Sequence, residues 1–303
     1  MKNKLVSSVC LGLALVFGSM TGMAQQKAVK KEIGLQLYSV RSLLGSYVDA
    51  KAGYAKDFVP VLKNLADMGY TVVEAAGYND GKFYNLSPED FKKNVDKAGL
   101  RLISSHTGNS LSKEAIRTRD FTEGLAWWDK CIAAHKAAGV TYIVTPWLGF
   151  PETLEELKVQ CEYLNEIGKK CLENGIKYGY HNHSHEFAKV EGKDLMFDFM
   201  IQNTDPRYVF FEMDVYWTVI GKGSPVDYFK KYPGRFKTLH IKDRREIGQS
   251  GMVGFDAIFN NAKTAGVEHI FVELEETTNG LEAGLKESID YLRKAPFVPK
   301  KFN

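Results

Sequence analysis

Cysteine is scarce in this 303-residue sequence, which contains four in all. Cys131, Cys161 and Cys171 remain after the apolar stretch at the start of the chain, and they form no C-x-x-C pair. An odd number of cysteines without such a pair gives no indication of a disulfide framework. Because all three lie in helix-like patterns, we expect them to be small core residues.

A surplus of charge of one sign is also missing. The 40 lysines and arginines and 37 aspartates and glutamates are interspersed and leave a net charge of +3. No basic stripe is present that would suit a phosphate backbone. We therefore expect no nucleic-acid partner.

Nucleotide-binding and linker motifs are absent as well. No G-x-G-x-x-G follows the first strand-like segment, and no Walker-type loop occurs. The nucleotide-binding versions of an open doubly wound sheet therefore lack support. No proline- or serine-rich linker divides the chain, which favours a single domain.

Long hydrophobic runs are absent except at the start of the chain. Two early lysines precede an apolar segment, 5–20, which ends in small residues before Gln25. This order predicts a secretory signal peptide at 1–24 and an exported, for example periplasmic, mature domain at 25–303. An uncleaved anchor is the alternative. Without a second run of spanning length, we expect no stable membrane span after processing.

Strand-like and helix-like segments alternate along the mature chain. The strand-like segments are 33–38, 71–75, 102–105, 141–145, a fifth closed by the histidine-rich stretch 177–187, and then 209–214, 236–241 and 268–274. Helix-like segments separate them, and one opens with Ser87 as a cap and Pro88 at its first position. Eight such units predict a (β/α)8 TIM barrel, with an open doubly wound sheet as the alternative. In a barrel, active-site residues come from the carboxyl ends of the strands.

The stretch 177–187 holds three of the seven histidines, His181, His183 and His185. Side chains alternate along a strand, so His181 and His183 share one face. Neutral imidazole ligates metals and titrates near neutrality, which indicates a metal or proton-transfer site. The alternative is a histidine cluster whose members only hydrogen-bond one another at a strand end.

Polar side chains end most of the other predicted strands. They are Glu74, His106, Asp214, His240 with Lys242, and Glu273 with Glu275. A carboxylate after a strand often caps the next helix, and a lone histidine is more often a hydrogen-bonded core residue than a ligand. Capping accounts poorly for Asp214, because the next predicted helix, near 226–231, starts well downstream. Asp214, His240 and Glu273 would leave buried charge uncompensated without a cation, so we predict a divalent metal site.

These residues resemble the xylose isomerase-like barrels, a superfamily of sugar isomerases and epimerases, inosose dehydratases and AP-endonuclease-like enzymes. The resemblance rests on G-L-Q-L-Y-S-V-R at 34–41, V-V-E at 72–74, S-S-H at 104–106, Y-H-N-H at 180–183, M-D at 213–214, L-H-I-K-D at 239–243 and V-E-L-E at 272–275. It implies one divalent ion held by Asp214, His240 and Glu273. The position where the family commonly has a glutamate is His181 here, which leaves the fourth ligand open.

The chemistry of the predicted site also suggests roles for the residues around that ion. Glu273 would be both ligand and base, with His183 or His181 opposite it and Lys242 beside the developing oxyanion. Glu74 and His106 would line the sugar pocket. Trp147 and Trp217 would stack on a sugar ring, or else pack as rim aromatics. Mixed nitrogen and oxygen ligands favour Mn²⁺, Zn²⁺ or Co²⁺ over Mg²⁺.

We therefore expect an exported metal-dependent isomerase or epimerase that acts on a free sugar, keto-sugar or glycoside through an enediolate. One alternative is a lyase or hydratase that eliminates a β-substituent from a 3-keto-glycoside or inosose-like substrate. A second alternative is a metal-stabilised sugar-binding protein without turnover. The partner is in each case a small carbohydrate, and the sequence leaves the oligomeric state open.

Overall fold

The computed structural model describes residues 31–45, 54–55 and 57–302. The predicted signal peptide at 1–24 lies outside the described residues. Eight parallel strands form the main sheet: β1 (Gly34–Gln36), β2 (Val72–Ala75), β3 (Arg101–His106), β4 (Tyr142–Thr145), β5 (Lys177–His181), β6 (Val209–Asp214), β7 (Phe236–Ile241) and β8 (His269–Val272).

The sheet closes on itself. Each strand pairs in parallel with the next, and β1 pairs with both β2 and β8. Gly34 of β1 lies opposite Phe271 of β8, where an added Cβ would come 2.5 Å from the Phe271 ring and 2.6 Å from the Ile270 carbonyl oxygen. A side chain at position 34 would therefore obstruct closure. The closed barrel confirms the predicted (β/α)8 fold and excludes the open sheet.

Helices connect the strands and surround the barrel. They are α1 (Arg41–Leu44), α2 (Val59–Met68), α3 (Pro88–Lys97), α4 (Lys113–Thr118), α5 (Thr122–Ala138), α6 (Leu154–Glu173), α7 (Met196–Asn203), α8 (Val215–Ile220), α9 (Pro225–Lys231), α10 (Phe255–Asn260), α11 (Ala262–Ala265) and α12 (Leu281–Lys294). Ser87 caps α3 as predicted, because its side chain accepts a hydrogen bond from the Asp90 N–H at 3.1 Å. None of the helices in the described part of the chain combines the length and apolarity needed to span a membrane.

The interior of the barrel changes from apolar to polar along the strands. Two apolar clusters, separate from the main core, consist of Val72, Ile103 and Phe271 and of Tyr142, Val144 and Phe210. Gly179 makes room for Phe210, since an added Cβ would lie 2.6 Å from that ring. Two residues further along the same face, Glu74 follows Val72 and Glu212 follows Phe210. The apolar clusters therefore support a polar layer nearer the carboxyl ends.

The main core lies between the strands and the surrounding helices. Cys131, Cys161 and Cys171 are buried in it with free thiols, as expected for small core residues. Burial raises the pKa of the Cys161 thiol to about 12, so it is not a nucleophile near neutral pH.

Candidate metal centre and active site

The four residues predicted as metal ligands meet at the carboxyl ends of β5 to β8. His181, Asp214, His240 and Glu273 are all buried, and each offers a ligand atom within 4.8 Å of the others. Nδ1 of His240 lies 3.3 Å from Oε2 of Glu273. Parallel strands end at one rim of the barrel, which is why residues so distant in sequence converge.

A second group of polar side chains lies directly below, around Glu212. Its Oε2 atom lies 2.7 Å from Nε2 of His106, 3.1 Å from Nε2 of His240 and 3.4 Å from Nδ1 of His181. Sequence reasoning did not identify Glu212. The signal that would have found it is the two-residue period of β6, which puts Glu212 on the same inward face as Asp214.

The structure places Glu74 below the cavity, contrary to the expectation that it lines the sugar pocket. Its Oε1 atom lies 2.7 Å from Nε2 of His240 and 3.1 Å from Nε2 of His106. Gln36 donates a hydrogen bond to the same carboxylate at 2.7 Å, and Ser104 donates another. Glu74 is fully buried because β2 projects it into the barrel interior. His106, by contrast, does line the cavity.

Asp214 has a structural role that the sequence analysis missed. Helix α8 begins at Val215, directly after Asp214, and Oδ1 of Asp214 accepts a hydrogen bond from the Trp217 N–H at 2.8 Å. The interpretation that Asp214 does not cap a helix was therefore wrong. Its other oxygen, Oδ2, is buried and has no hydrogen-bond partner among the described residues. One oxygen caps the helix, and the second remains available to a cation.

The electrostatics of His181, Asp214, His240 and Glu273, which we call the upper cluster, also fit a cation. Burial raises the pKa of Asp214 to about 7, against the opposing effect of Lys242. Burial also tends to raise the pKa of Glu273, but Lys242 and His240 together hold it well below its usual range. For His240, Glu212 and Glu273 outweigh the effect of burial and raise its pKa. A divalent ion binding here would displace the protons that Asp214 and His240 otherwise hold.

A cavity of about 480 Å³ opens above the upper cluster. Its lining residues are Tyr38, Ala76, His106, Pro146, Trp147, His181, His183, Trp217, Glu273 and Glu275. Lys242 lies buried beside it, with Nζ at 3.3 Å from Glu273 Oε2 and 2.9 Å from Glu275 Oε1. The structure thus brings Trp147, Trp217, His183 and Lys242 to one place together with the metal-ligand candidates.

His183 is held in place by a buried carboxylate. The strand ends at His181, and the backbone N–H of His183 donates to Oε2 of Glu186 at 2.9 Å. The Tyr180 hydroxyl donates to the other oxygen of Glu186 at 2.6 Å. Burial lowers the pKa of His183 to about 4, so its imidazole is neutral at neutral pH. Glu186 was not singled out from the sequence as a site residue.

The closed eight-stranded barrel is the fold of the xylose isomerase-like TIM barrel family. The profile of that family matches residues 62–295, and the chain belongs to it. This confirms the resemblance drawn from the motifs.

Individual proteins of known structure or sequence are also similar to this chain. A crystal structure of a sugar phosphate isomerase/epimerase from Parabacteroides distasonis is 38% identical, with a TM-score of 0.77 and coverage of 89% of this chain and 100% of that chain. An inosose dehydratase of Clostridium botulinum is 26% identical over 212 residues, which cover 64% of this chain and 69% of the relative. An inosose dehydratase of Bacillus cereus is 22% identical over 293 residues, which cover 83% and 95%. These relatives are named for two kinds of reaction, isomerisation or epimerisation and dehydration.

Proposed function

We propose that this protein is a metal-dependent enzyme that isomerises or epimerises a small carbohydrate by proton transfer next to a carbonyl group. The observation that carries the proposal is the convergence of Asp214, His240, Glu273 and His181 at the floor of an aromatic-lined cavity. Clefts with a few convergent polar groups and perturbed pKa values are typical of active sites.

The chain's own residues would hold one divalent cation. Asp214, His240 and Glu273 would bind it, with His181 as the fourth ligand. The free oxygen of Asp214 and the mixed nitrogen and oxygen donors fit Mn²⁺, Zn²⁺ or Co²⁺ better than Mg²⁺. When bound, the cation would polarise a carbonyl and acidify the adjacent C–H bond.

Glu273 is the candidate base. Lys242, 3.3 Å away, lowers the pKa of Glu273 and keeps it ionised, so that it can accept a proton. The same ammonium group would stabilise negative charge that develops on a nearby substrate oxygen. His183 lines the same cavity from the end of β5, and its neutral ring can accept a proton on the other side of the substrate.

The lining of the cavity favours a substrate without a phosphate group. Among the described residues that line it there is no lysine or arginine, whereas Glu273 and Glu275 contribute carboxylates. The nearby cation, Lys242, is already paired with both. A phosphate ester would therefore find carboxylates but no lysine or arginine among the residues that line the cavity. We propose a free sugar, keto-sugar or glycoside as substrate, which agrees with the predicted export.

Elimination is the second candidate reaction, and the histidines of β5 favour it. His181 occupies the position where the resemblance implies a glutamate, and His183 lies close to it, with 4.9 Å between the ring centroids. His181 therefore argues against the proton transfer between two glutamates that the resemblance implies for epimerases. The β-elimination of a keto-sugar needs instead a base on carbon and a proton for the leaving group. The two inosose dehydratases among the relatives are enzymes of this kind by name.

Solvent deuterium incorporation tests the proposal. Wild-type protein loaded with Mn²⁺ is expected to exchange the C–H next to the carbonyl of D-fructose or an inosose with solvent, as followed by NMR. We expect His181→Ala to lose metal, and His183→Ala to keep metal but lose exchange. His135→Gln, at a buried histidine on α5, is the matched control and should retain both.

The outcomes separate the alternatives. Loss of water from the substrate by mass spectrometry, together with exchange, would establish the lyase. Tight sugar binding with no exchange in the wild type would instead identify a sugar-binding protein without turnover. Exchange that survives complete removal of metal would contradict metal dependence. If both histidine variants keep both properties, the assignment of the β5 histidines is wrong.

A further inference from the structure

Two large aromatic side chains are exposed to solvent at the mouth of the cavity. Phe150 is 71% exposed and Trp147 is 43% exposed, and both follow β4. Together with His185 they form a cluster that we call the aromatic rim. Contiguous exposed apolar surface of this kind marks an interaction site more often than a scattered single side chain does.

The three rings of the aromatic rim contact one another. The ring centroids of Trp147 and Phe150 are 5.3 Å apart, and His185 lies 4.5 Å from Trp147 and 4.7 Å from Phe150. Edge-to-face and tilted arrangements at these distances stabilise aromatic pairs. The three rings of the aromatic rim therefore pack together and leave one face exposed to solvent.

The loop that carries Phe150 is anchored. Leu148 is buried, and its carbonyl oxygen accepts a hydrogen bond from Nε2 of Gln160 on α6 at 3.3 Å. Gly149 has φ of +80°, a conformation that side chains rarely adopt, and it turns the chain between buried Leu148 and exposed Phe150. The backbone thus directs Phe150 outward.

The aromatic rim continues into the cavity. Trp147 lines the cavity, and its ring centroid lies 5.8 Å from that of His183. His183 in turn lies 6.0 Å from Trp217 and 4.9 Å from the metal-ligand candidate His181. A ligand with one ring above the upper cluster would therefore place an attached second group against the rim.

We infer that the aromatic rim is an outer subsite for the second sugar ring of a glycoside. The inference rests on the proposed function, because the first ring would be the one that reacts. A pyranose presents an apolar C–H face, which leaves water when it lies on an aromatic ring. A phosphate group would gain no ion pair at the aromatic rim. Burial lowers the pKa of His185, so its ring carries no positive charge at neutral pH.

Binding of non-reacting sugars tests the outer subsite. The probes are D-glucose and methyl β-D-glucoside as single rings, and cellobiose and maltose as double rings, titrated calorimetrically into the metal-loaded protein. We expect one of the double-ring probes to bind about three- to tenfold more tightly than either single ring, the gain expected of one aromatic contact. Phe150→Ala should remove that gain and leave single-ring binding unchanged.

Leu172→Ala is the matched control. Leu172 is 52% exposed near the end of α6, which precedes the amino-terminal end of β5, so the substitution removes exposed apolar surface away from the cavity mouth. Equal affinities for single and double rings in the wild type, or an undiminished gain in Phe150→Ala, would overturn the subsite. Metal content and deuterium exchange of the wild type are measured separately. Their absence refutes the proposed function, while the comparison of single- and double-ring binding still decides the subsite.

Discussion

Glu212 contacts three histidines of the buried polar cluster. One of its oxygens lies within 3.4 Å of nitrogen atoms of His106, His181 and His240. A histidine that ligates a metal with one ring nitrogen commonly donates its other N–H to a carboxylate, which fixes the tautomer and the ring orientation. Glu212 is therefore placed to orient His240 below the metal-ligand candidates.

The first prediction concerns this carboxylate. Glu212→Gln should weaken Mn²⁺ binding by about 10- to 100-fold, because the amide cannot accept hydrogen bonds at both of its ends and carries no charge. Calorimetric titration of the metal-free protein measures the change. Glu268→Gln is the control, since Glu268 lies before β8 and binds Lys177 and Tyr142 instead. Mn²⁺ binding to Glu212→Gln with wild-type affinity would contradict the role.

At the scale of single residues, the sequence predicted the ends of the strands better than their middles. Asp214, His240 and Glu273 were identified because each interrupts or ends an apolar run. Glu212 is not identified from the sequence, because it lies inside such a run, between Phe211 and Met213. Only the two-residue period of the strand shows that its side chain points into the barrel. Glu74 lies below the cavity because its carboxylate contacts His240. This contact between distant strands cannot be predicted from a pattern in the sequence.

At the scale of elements, long periodic segments were predicted well. Strands β6 and β7 have the predicted bounds, and α3 begins after its serine cap as expected. Three short helices, α1, α4 and α8, are not predicted from the sequence. The sequence of α8, V-Y-W-T-V-I, is rich in β-branched and aromatic residues, which have weak helix propensity. It is a helix because Asp214 caps it and it packs against the barrel, and these are tertiary effects.

Helix α5 supports a prediction about pH. His135 on its inner face is buried between Tyr78 and Phe83, with ring centroids 4.6 and 4.8 Å away. Burial lowers the pKa of His135 to about 4. An unfolded chain binds the proton near pH 6.5, so this residue stabilises the fold above that pH, and its contribution falls between about pH 6.5 and 4. The loss should reach up to about 3 kcal/mol and level off below pH 4.

Urea unfolding at a series of pH values measures this effect. His135→Gln should unfold with a shallower pH dependence than the wild type in the same interval, even if it is less stable at neutral pH. Parallel curves for the two proteins would show that His135 does not titrate as the structure implies.

For the whole molecule, the sequence predicts export directed by the signal peptide at 1–24. Exported protein should begin at Gln25, because the apolar segment and the small residues before it have the order of a signal peptide. Mass spectrometry of the mature N-terminus checks this. Ala24→Asp should block cleavage and serves as the control, and an exported wild-type protein that begins at Met1 would contradict the prediction.

The barrel as a whole concentrates charge at one end of its interior. Glu74, Glu212, Asp214 and Glu273 are all buried there, with Lys242 as the one lysine among the buried polar residues of the described chain. Buried charges require compensation. We propose that a divalent cation held by Asp214, His240 and Glu273 supplies it.

Anomalous X-ray diffraction from crystals grown with Mn²⁺ tests whether this metal site exists. We expect one strong anomalous peak bounded by Asp214, His240 and Glu273, and its disappearance in crystals of Asp214→Ala. A map without a peak at that position, or with its main peak in the lower group between His106 and Glu212, would contradict the proposed site.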